Sequence, residues 1–290
     1  MVKLSVHMIT HNHASFIARA LDSALAQATN FQFEIVVSDD ASTDGTSAIV
    51  RRYAERHPDV IRPVLRDANV GMNRNFIDTL KACRREYVAF LEGDDYWDSP
   101  RKLQTQVEVL DADRAAVLCC HPVKIVAADG ERLLGVTPAD PRDVLSIEDV
   151  VLYRYPLPTC ATVVRNVLRE VPPWFYEIYS LDYATQLMIA RYGSVRIVHE
   201  TMAVYRKHDA GISESIPTEQ QIDYFIHLLE CANAELGFAY DRLFRRRLSM
   251  MYRGKTKVEM KKHRFGAAAR AAWDCARYFA TSTGALAKTA

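Results

Sequence analysis

Three carboxylates stand within four residues at Glu92-Gly93-Asp94-Asp95, directly after an apolar run at residues 87–91. Oxygen donors packed this closely repel one another unless a divalent cation or a hydroxyl-rich ligand sits among them. A solvated acidic turn is the plainer alternative. The run before them reads as a buried strand, and Ser99-Pro100 supplies an N-cap and a first-turn proline, so a helix is expected to start there. The acidic residues then fall on a loop at the carboxyl end of a strand, where ligands of open α/β sheets collect.

The elements that must position this loop follow from periodicity. Residues 3–9 read as a first strand, and Phe16, Ile17, Ala20, Leu21, Ala24, Leu25 and Ala28 recur at helical spacing. The unit repeats with a strand at 33–37, a polar loop at 38–46 and a helix at 49–56. A third strand is expected at 60–65, a helix ending near Cys83, and the fourth strand at 87–91. Alternation of this kind predicts a parallel sheet with helices on both faces and functional loops along one edge.

After a helix at about 100–110 the pattern becomes mixed. Strands are expected at 117–121 and 123–127, then a hairpin-type turn at Asp129-Gly130 before Leu133. A short helix is expected from Ser146, a strand at 159–164, a helix at 182–190 and strands at 195–198 and 202–206. From Thr218 the pattern is helical to the end, interrupted near Gly237, Gly254 and Gly266. The reading divides the chain into residues 1–217, comprising halves 1–98 and 99–217, and a helical extension at 218–290.

The 290 residues, 49% of them hydrophobic, suffice for a sizeable core. The net charge of +1 hides an asymmetry: residues 241–270 carry eleven lysines and arginines against two acids, a local +9 on a body of −8. Leu243, Phe244, Leu248, Met251 and Tyr252 form an apolar stripe between the arginines. That pattern suits either a helix lying on anionic lipid at the inner face of the membrane, or one packed on the body or on a second subunit. Nucleic acid is a poorer reading because the rest of the chain is acidic. Six cysteines without a C-x-x-C pair fit a reducing cytosol better than a disulfide framework. The first twelve residues lack a cleavage-site pattern, and no run of 18 apolar residues occurs.

With its loops in this order, the chain resembles the family-2 inverting glycosyltransferases of GT-A fold over residues 1–215. Thr10-His11-Asn12 resembles the family's Thr-Tyr-Asn. Asp39-Asp40-Ala41-Ser42-Thr43-Asp44-Gly45-Thr46 matches its Asp-Asp-x-Ser-x-Asp-Gly-Thr, and Asn69-Val70-Gly71 its Asn-x-Gly. Glu92-Gly93-Asp94-Asp95 stands at its Asp-x-Asp-Asp metal motif, with Glu for the first Asp. The implied fold is a Rossmann-like, mainly parallel mixed sheet flanked by helices. The implied reaction moves a sugar from a nucleotide-sugar donor to a hydroxyl of a glycan or lipid-linked acceptor, with Mg²⁺ or Mn²⁺.

The resemblance assigns roles residue by residue. Thr10, His11, Asn12 and Asn69 would line the donor. Asp40 would accept the N3–H of a uracil-type base, with His11 stacked on it; helix capping and a surface histidine are the plain alternatives. Arg74 would face the diphosphate, or make a surface ion pair. Asp94 would bind ribose or sugar, Asp95 the metal, and Glu92 would be a weaker ligand. Tyr205-Arg206-Lys207-His208 with Ser213 resembles a segment that closes over the phosphates, where His208 would ligate the metal or a phosphate oxygen, or be a buried structural histidine. Asp182 stands at the general-base motif, although Leu181 replaces its preceding acid, and an N-cap is its alternative. Two other functions compete: a sugar-1-phosphate nucleotidyltransferase, disfavoured because residues 10–15 contain no glycine, and a non-catalytic nucleotide- or glycan-binding protein.

Overall fold

The computed structural model describes residues 2–137, 140–168, 170–209, 211 and 216–282. Its first four strands are β1 (Val2–Thr10), β2 (Gln32–Asp39), β3 (Ile61–Leu65) and β4 (Tyr87–Phe90). Between them run α1 (Ile17–Leu25), α2 (Thr46–Arg56) and α3 (Met72–Ala82). Covered on both faces, β1 and β4 show continuous burial where a half-exposed strand would alternate. Helix α1 buries Ile17, Ala20, Leu21 and Ala24, the i, i+3, i+4, i+7 stripe expected of a helix laid on a sheet.

After β4 come β5 (Tyr96–Trp97), α4 (Lys102–Ala112), β6 (Ala116–Cys120), β7 (Lys124–Val126), β8 (Leu133–Val136) and β9 (Val144–Leu145). Then follow α5 (Ile147–Val151), β10 (Val163–Arg165), α6 (Leu181–Ala190), β11 (Ser194–Ile197) and β12 (Ala203–Arg206). The eight-stranded sheet has the order β3-β2-β1-β4-β10-β6-β11-β9. Its first four strands are parallel, β10 is antiparallel to both neighbours, β11 runs parallel to β6, and β9 is antiparallel to β11. Strand order reverses between β1 and β4, the switch point beside which an open α/β sheet has its crevice. The mixed, mainly parallel α/β sheet agrees with the expected fold class.

A second sheet, β5-β12-β7-β8, pairs Ala203 and Val204 of β12 antiparallel with Trp97 and Tyr96 of β5. This short ladder brings residues 203–208 back alongside the acidic loop. Two local expectations differ. Helix α4 starts at Lys102, two residues after Pro100, with Arg101 at the N-cap position, and residues 96–97 form β5. The strand expected at 159–164 begins as a 3-10 turn, Thr159–Ala161, and pairs only from Val163.

The chain divides into two compact units. One comprises Met1–Ser146, Tyr155–Val171 and Ile189–His208; the other comprises Ile147–Arg154, Pro172–Met188 and Asp209–Ala290. In the second, α7 (Thr218–Glu235), α8 (Asp241–Lys261) and α9 (Phe265–Ser282) form the C-terminal helices. Gly237, at φ +59°, breaks the chain between α7 and α8 as expected. Gly254, however, lies inside α8, and Gly266 is the second residue of α9; the second break falls at residues 262–264. A single glycine costs a helix about 1 kcal/mol, which packing along α8 offsets. No described helix is long and apolar enough to cross a membrane.

Candidate active site

The loops leaving β1, β2 and β4 are tied to one another by the backbone. Asp40 N–H donates to the Thr10 carbonyl at 3.0 Å, and Gly93 N–H to the Ile9 carbonyl at 3.0 Å. Gly93 admits no side chain: a Cβ there would lie 2.7 Å from Thr10 Oγ1 and 2.8 Å from Thr10 Cβ. That close approach seats the acidic loop on the end of β1. Thr10 Oγ1 is itself buried without a hydrogen-bond partner among the described residues.

Asp40, 3% exposed, accepts the N–H of Val70 at 2.8 Å and that of Gly71 at 2.9 Å, one on each carboxylate oxygen. It therefore fastens the Asn69-Val70-Gly71 loop, and α2 is not capped by it. Gly71 turns the chain into α3 at φ +86°, a conformation that suits glycine. Arg66 approaches Asp40 to 4.0 Å. The neighbouring Asp39 is fully buried and takes the Ser42 N–H and the hydroxyls of Ser42 and Ser47.

His11 lies 2.9 Å from the Asp40 carbonyl oxygen through Nδ1, which fixes the proton on that nitrogen and leaves Nε2 to accept from Asn12 Nδ2 at 3.2 Å. The amide of Asn69 sits 3.4 and 3.5 Å from the two ring nitrogens. Asn12, at φ +56°, accepts the Thr43 N–H at 2.9 Å. His11, Asn12, Asp40 and Asn69 are thus one cluster at the ends of β1 and β2.

The acidic loop forms a second cluster. Asp94 Oδ2 accepts from His208 Nε2 at 3.0 Å, and His13 Nε2 lies 3.8 Å from the same oxygen. Asp95 Oδ1 accepts the Arg206 N–H at 2.8 Å. Burial favours the neutral form of Asp94, yet the His208 hydrogen bond and the His13 charge hold its carboxyl below the usual range. Burial, and then the charge of Asp94, push Asp95 well above that range. Arg206 is buried, with its guanidinium 4.6 Å from the Phe16 ring centroid and 5.5 Å from that of Tyr96. Ser213 lies outside the described residues.

Beneath this loop Lys102 is 0% exposed, its ammonium 4.1 Å from the Trp97 ring centroid and without a hydrogen-bond partner among the described residues. Burial lowers its pKa to about 7. Neither Lys102 nor His13 is singled out by the motifs. A lysine after proline reads as an exposed first-turn residue; His13 was signalled only by its place two residues after His11 on the same loop.

Two expected residues belong to neither cluster. Arg74 is 65% exposed and pairs with Asp78 of its own helix at 3.7 Å, the surface arrangement, because α3 turns Asn75 and Phe76 inward. Asp182 belongs to the second unit, in the first turn of α6 and inside the helix, past the N-cap position. There it adds to the burial that raises the pKa of Tyr153. In the same unit the Tyr183 hydroxyl donates to the Val150 carbonyl at 3.0 Å, and its ring stacks on Phe225 at 5.3 Å.

A divalent cation can be tested against the donors present. Among the described residues no three of His, Cys, Asp and Glu form a group that could hold a metal ion. The acidic loop is closed on protein partners instead: Asp94 on His208, and Asp95 on the Arg206 backbone. The donor types, carboxylate and imidazole, are those a hard or borderline divalent ion takes, and the burial of Asp95 disfavours its charge until a cation answers it.

Residues 5–210 match the family model "Glycosyl transferase family 2". A Mycobacterium tuberculosis protein described as uncharacterized is 38% identical over 220 residues, 75% of this chain and 62% of that protein. This chain thus spans less than two thirds of that relative's length. An uncharacterized glycosyltransferase of Nostoc sp. is 30% identical over 234 residues, 76% of this chain and 70% of its own. Among solved structures, Staphylococcus aureus TarS 1–349 in complex with UDP-GlcNAc superposes with a TM-score of 0.61 at 17% identity, over 98% of this chain and 91% of that one. The mannosyltransferase PcManGT from Pyrobaculum calidifontis, in complex with GDP-Man and Mn²⁺, gives 0.58 at 17% identity, over 99% and 88%. At such identities the likeness is one of fold, the GT-A arrangement. With the family pattern running from β1 to the end of the Arg206–His208 segment, the chain belongs to glycosyl transferase family 2.

Proposed function

We propose that this chain transfers one sugar, with inversion, from a nucleoside diphosphate sugar of uracil type to a hydroxyl of a glycan or lipid-linked precursor. The observation that carries the reading is the meeting, along one sheet edge beside the strand-order switch, of the cluster His11, Asn12, Asp40 and Asn69 with the cluster Asp94, Asp95 and His208. The first offers hydrogen-bonding groups for a base and ribose; the second offers carboxylates and an imidazole of the kind that take the divalent cation accompanying a diphosphate. The donors named for the neighbours, UDP-GlcNAc with TarS and GDP-Man with PcManGT, belong to the same chemical class.

Asp40 keeps lone pairs free beyond those that hold Val70 and Gly71, so it accepts the N3–H of the base while His11 stacks on the ring. Thr10, Asn12 and Asn69 line the ribose side, and Asp94 binds ribose or donor sugar. Asp95 and His208 would hold Mn²⁺ or Mg²⁺, with Glu92 as a weaker ligand, and the ion would supply positive charge where the departing diphosphate gathers negative charge. Arg74 reaches the diphosphate only by leaving Asp78, while Arg206 already stands beside Asp95. Asp182 takes the proton from the acceptor hydroxyl, a role assigned from its place in the order of motifs. In-line attack opposite the leaving group then inverts the anomeric carbon.

The test is incubation with a panel of nucleotide sugars and Mn²⁺, with mass spectrometry of released nucleoside diphosphate and NMR of the anomeric proton in the product. Metal-dependent release and an inverted linkage support the reading. Release of pyrophosphate, or no turnover and no binding of any donor, refutes it.

A further inference from the structure

In the C-terminal helices, residues 241–282 carry twelve lysines and arginines against three acids. Each acid is already engaged: Asp241 with Arg245 at 2.5 Å, Glu259 with Arg264 at 3.8 Å and Asp274 with Arg277 at 3.2 Å. Several cations are engaged too, since Lys255 pairs with Asp223 and Lys262 with Glu219 of α7, and Arg247 lies over the Tyr153 ring. Arg246, Arg253, Lys257 and Lys261 have no acidic partner among the described residues, and all four are exposed.

Their spacing makes these four a single surface. Steps of 7, 4 and 4 residues keep Arg246, Arg253, Lys257 and Lys261 within one face of α8. That face lies about 165° around the helix from Lys255, which points at α7. Met250 and Met260, 52% and 49% exposed, lie within and beside it. Helix α9 is bound to α8 through Ser249 Oγ on the Cys275 carbonyl and by the Tyr252–Tyr278 ring stack. It buries Ala268 and Ala271 but leaves Phe265 and Trp273 in solvent at 61% and 65% exposure. Ala269, Ala272 and Ala276 continue this apolar arc, so the arc is wider than the contact with α8 covers.

We infer that the α8–α9 hairpin docks on an anionic lipid surface, with the α8 cations at the phosphate level and Trp273 and Phe265 in the headgroup–acyl boundary. Charge complementarity decides the occupant. A second copy docked by two-fold symmetry would place the same cations against themselves, a like-charge juxtaposition that the acids of α8 and α9 among the described residues, each already paired, do not relieve. An anionic surface answers the charge, and its boundary region takes up aromatic and thioether side chains. The inference concerns only the second unit, and it stands or falls independently of the transfer reaction.

The test uses the full chain and vesicle sedimentation at low salt, with phosphatidylglycerol-containing and pure phosphatidylcholine vesicles compared. Strong binding to the anionic vesicles and weak binding to the neutral ones is expected. A cation near such a surface is worth about fivefold in partition, so the combined variant R246Q/R253Q/K257Q should lose about a hundredfold. Trp273→Ala should weaken binding about tenfold and remove a lipid-induced blue shift of tryptophan emission. These are exposed positions, so melting temperatures should stay near the parent's. Equal binding by parent and combined variant, no preference for anionic vesicles, or lipid-free self-association that shields Trp273 from quenching would overturn the inference.

Discussion

Replacing Asp40 by Asn keeps the shape of the side chain and removes its charge at a point where both oxygens are in use. The Val70 and Gly71 N–H groups each donate to one oxygen, at 2.8 and 2.9 Å. Asn can satisfy only one of them and turns its own NH₂ toward the other. A hydrogen bond to a charged group is worth about 1.5–3 kcal/mol, and a stranded donor costs a further 1–3 kcal/mol when fully buried. Val70 and Gly71 are partly exposed, so water can recover part of this loss and about 2–3 kcal/mol is the expected cost. Because the bonds tie one loop to the end of β2, much of the cost should appear as local opening. Hydrogen exchange at Val70 and Gly71 should accelerate by about 30- to 150-fold, and nucleoside diphosphate affinity should fall by about tenfold or more. Parent-like protection of both amides in Asp40→Asn would refute this account of the loop.

Asp182→Asn should lose transfer by about 10² to 10⁴ while nucleotide affinity and melting temperature stay near the parent's; near-parental turnover in a folded variant would remove Asp182 from the mechanism. Lys102→Met should stabilise the protein at pH 7 by about 1–4 kcal/mol, because a buried cation without hydrogen bonds is replaced by an apolar side chain of similar length. Burial lowers the Lys102 pKa from 10.5 to about 7, so across that window the unfolded chain binds a proton that the folded chain does not. Stability from this group therefore rises with pH between 7 and 10.5 in the parent, and the Met variant should lose that slope. Urea unfolding of both proteins at pH 7 and pH 9 checks the prediction, and a less stable variant, or an unchanged slope, would contradict it.

Much of this architecture was legible because parallel strands buried on both faces leave unbroken apolar runs, as at Tyr87–Phe90, and because α1 carries a clean helical stripe. The two-residue strands β5 and β9 were not, since so short a stretch carries no period. Yet β5 is what brings His208 beside Asp94, a juxtaposition across more than a hundred residues that only pairing with β12 creates. The residue types of the site, Thr10 to Asn12, Asp40, Asn69 and the acidic loop, could be read from their motifs. Their hydrogen-bond duties could not: Asp40 reads equally as cap or base contact, and its hold on Val70 and Gly71 is a tertiary fact. The burial of Lys102 carries no signal in the sequence, because lysine is almost never fully buried without a partner. Arg74 reads as a phosphate contact near a helix start, but the rotation of α3 that buries Asn75 and Phe76 leaves it on the surface.

If Asp95 holds the divalent cation of a nucleoside diphosphate at the end of β4, as proposed, titration calorimetry of a uridine diphosphate sugar with and without Mn²⁺ will show it. Binding by the parent in Mn²⁺, loss of that binding on chelation, and little metal-dependent binding in a folded Asp95→Ala variant are expected. An Asp95→Ala protein that binds the nucleotide as tightly as the parent, with the same Mn²⁺ requirement, would contradict it.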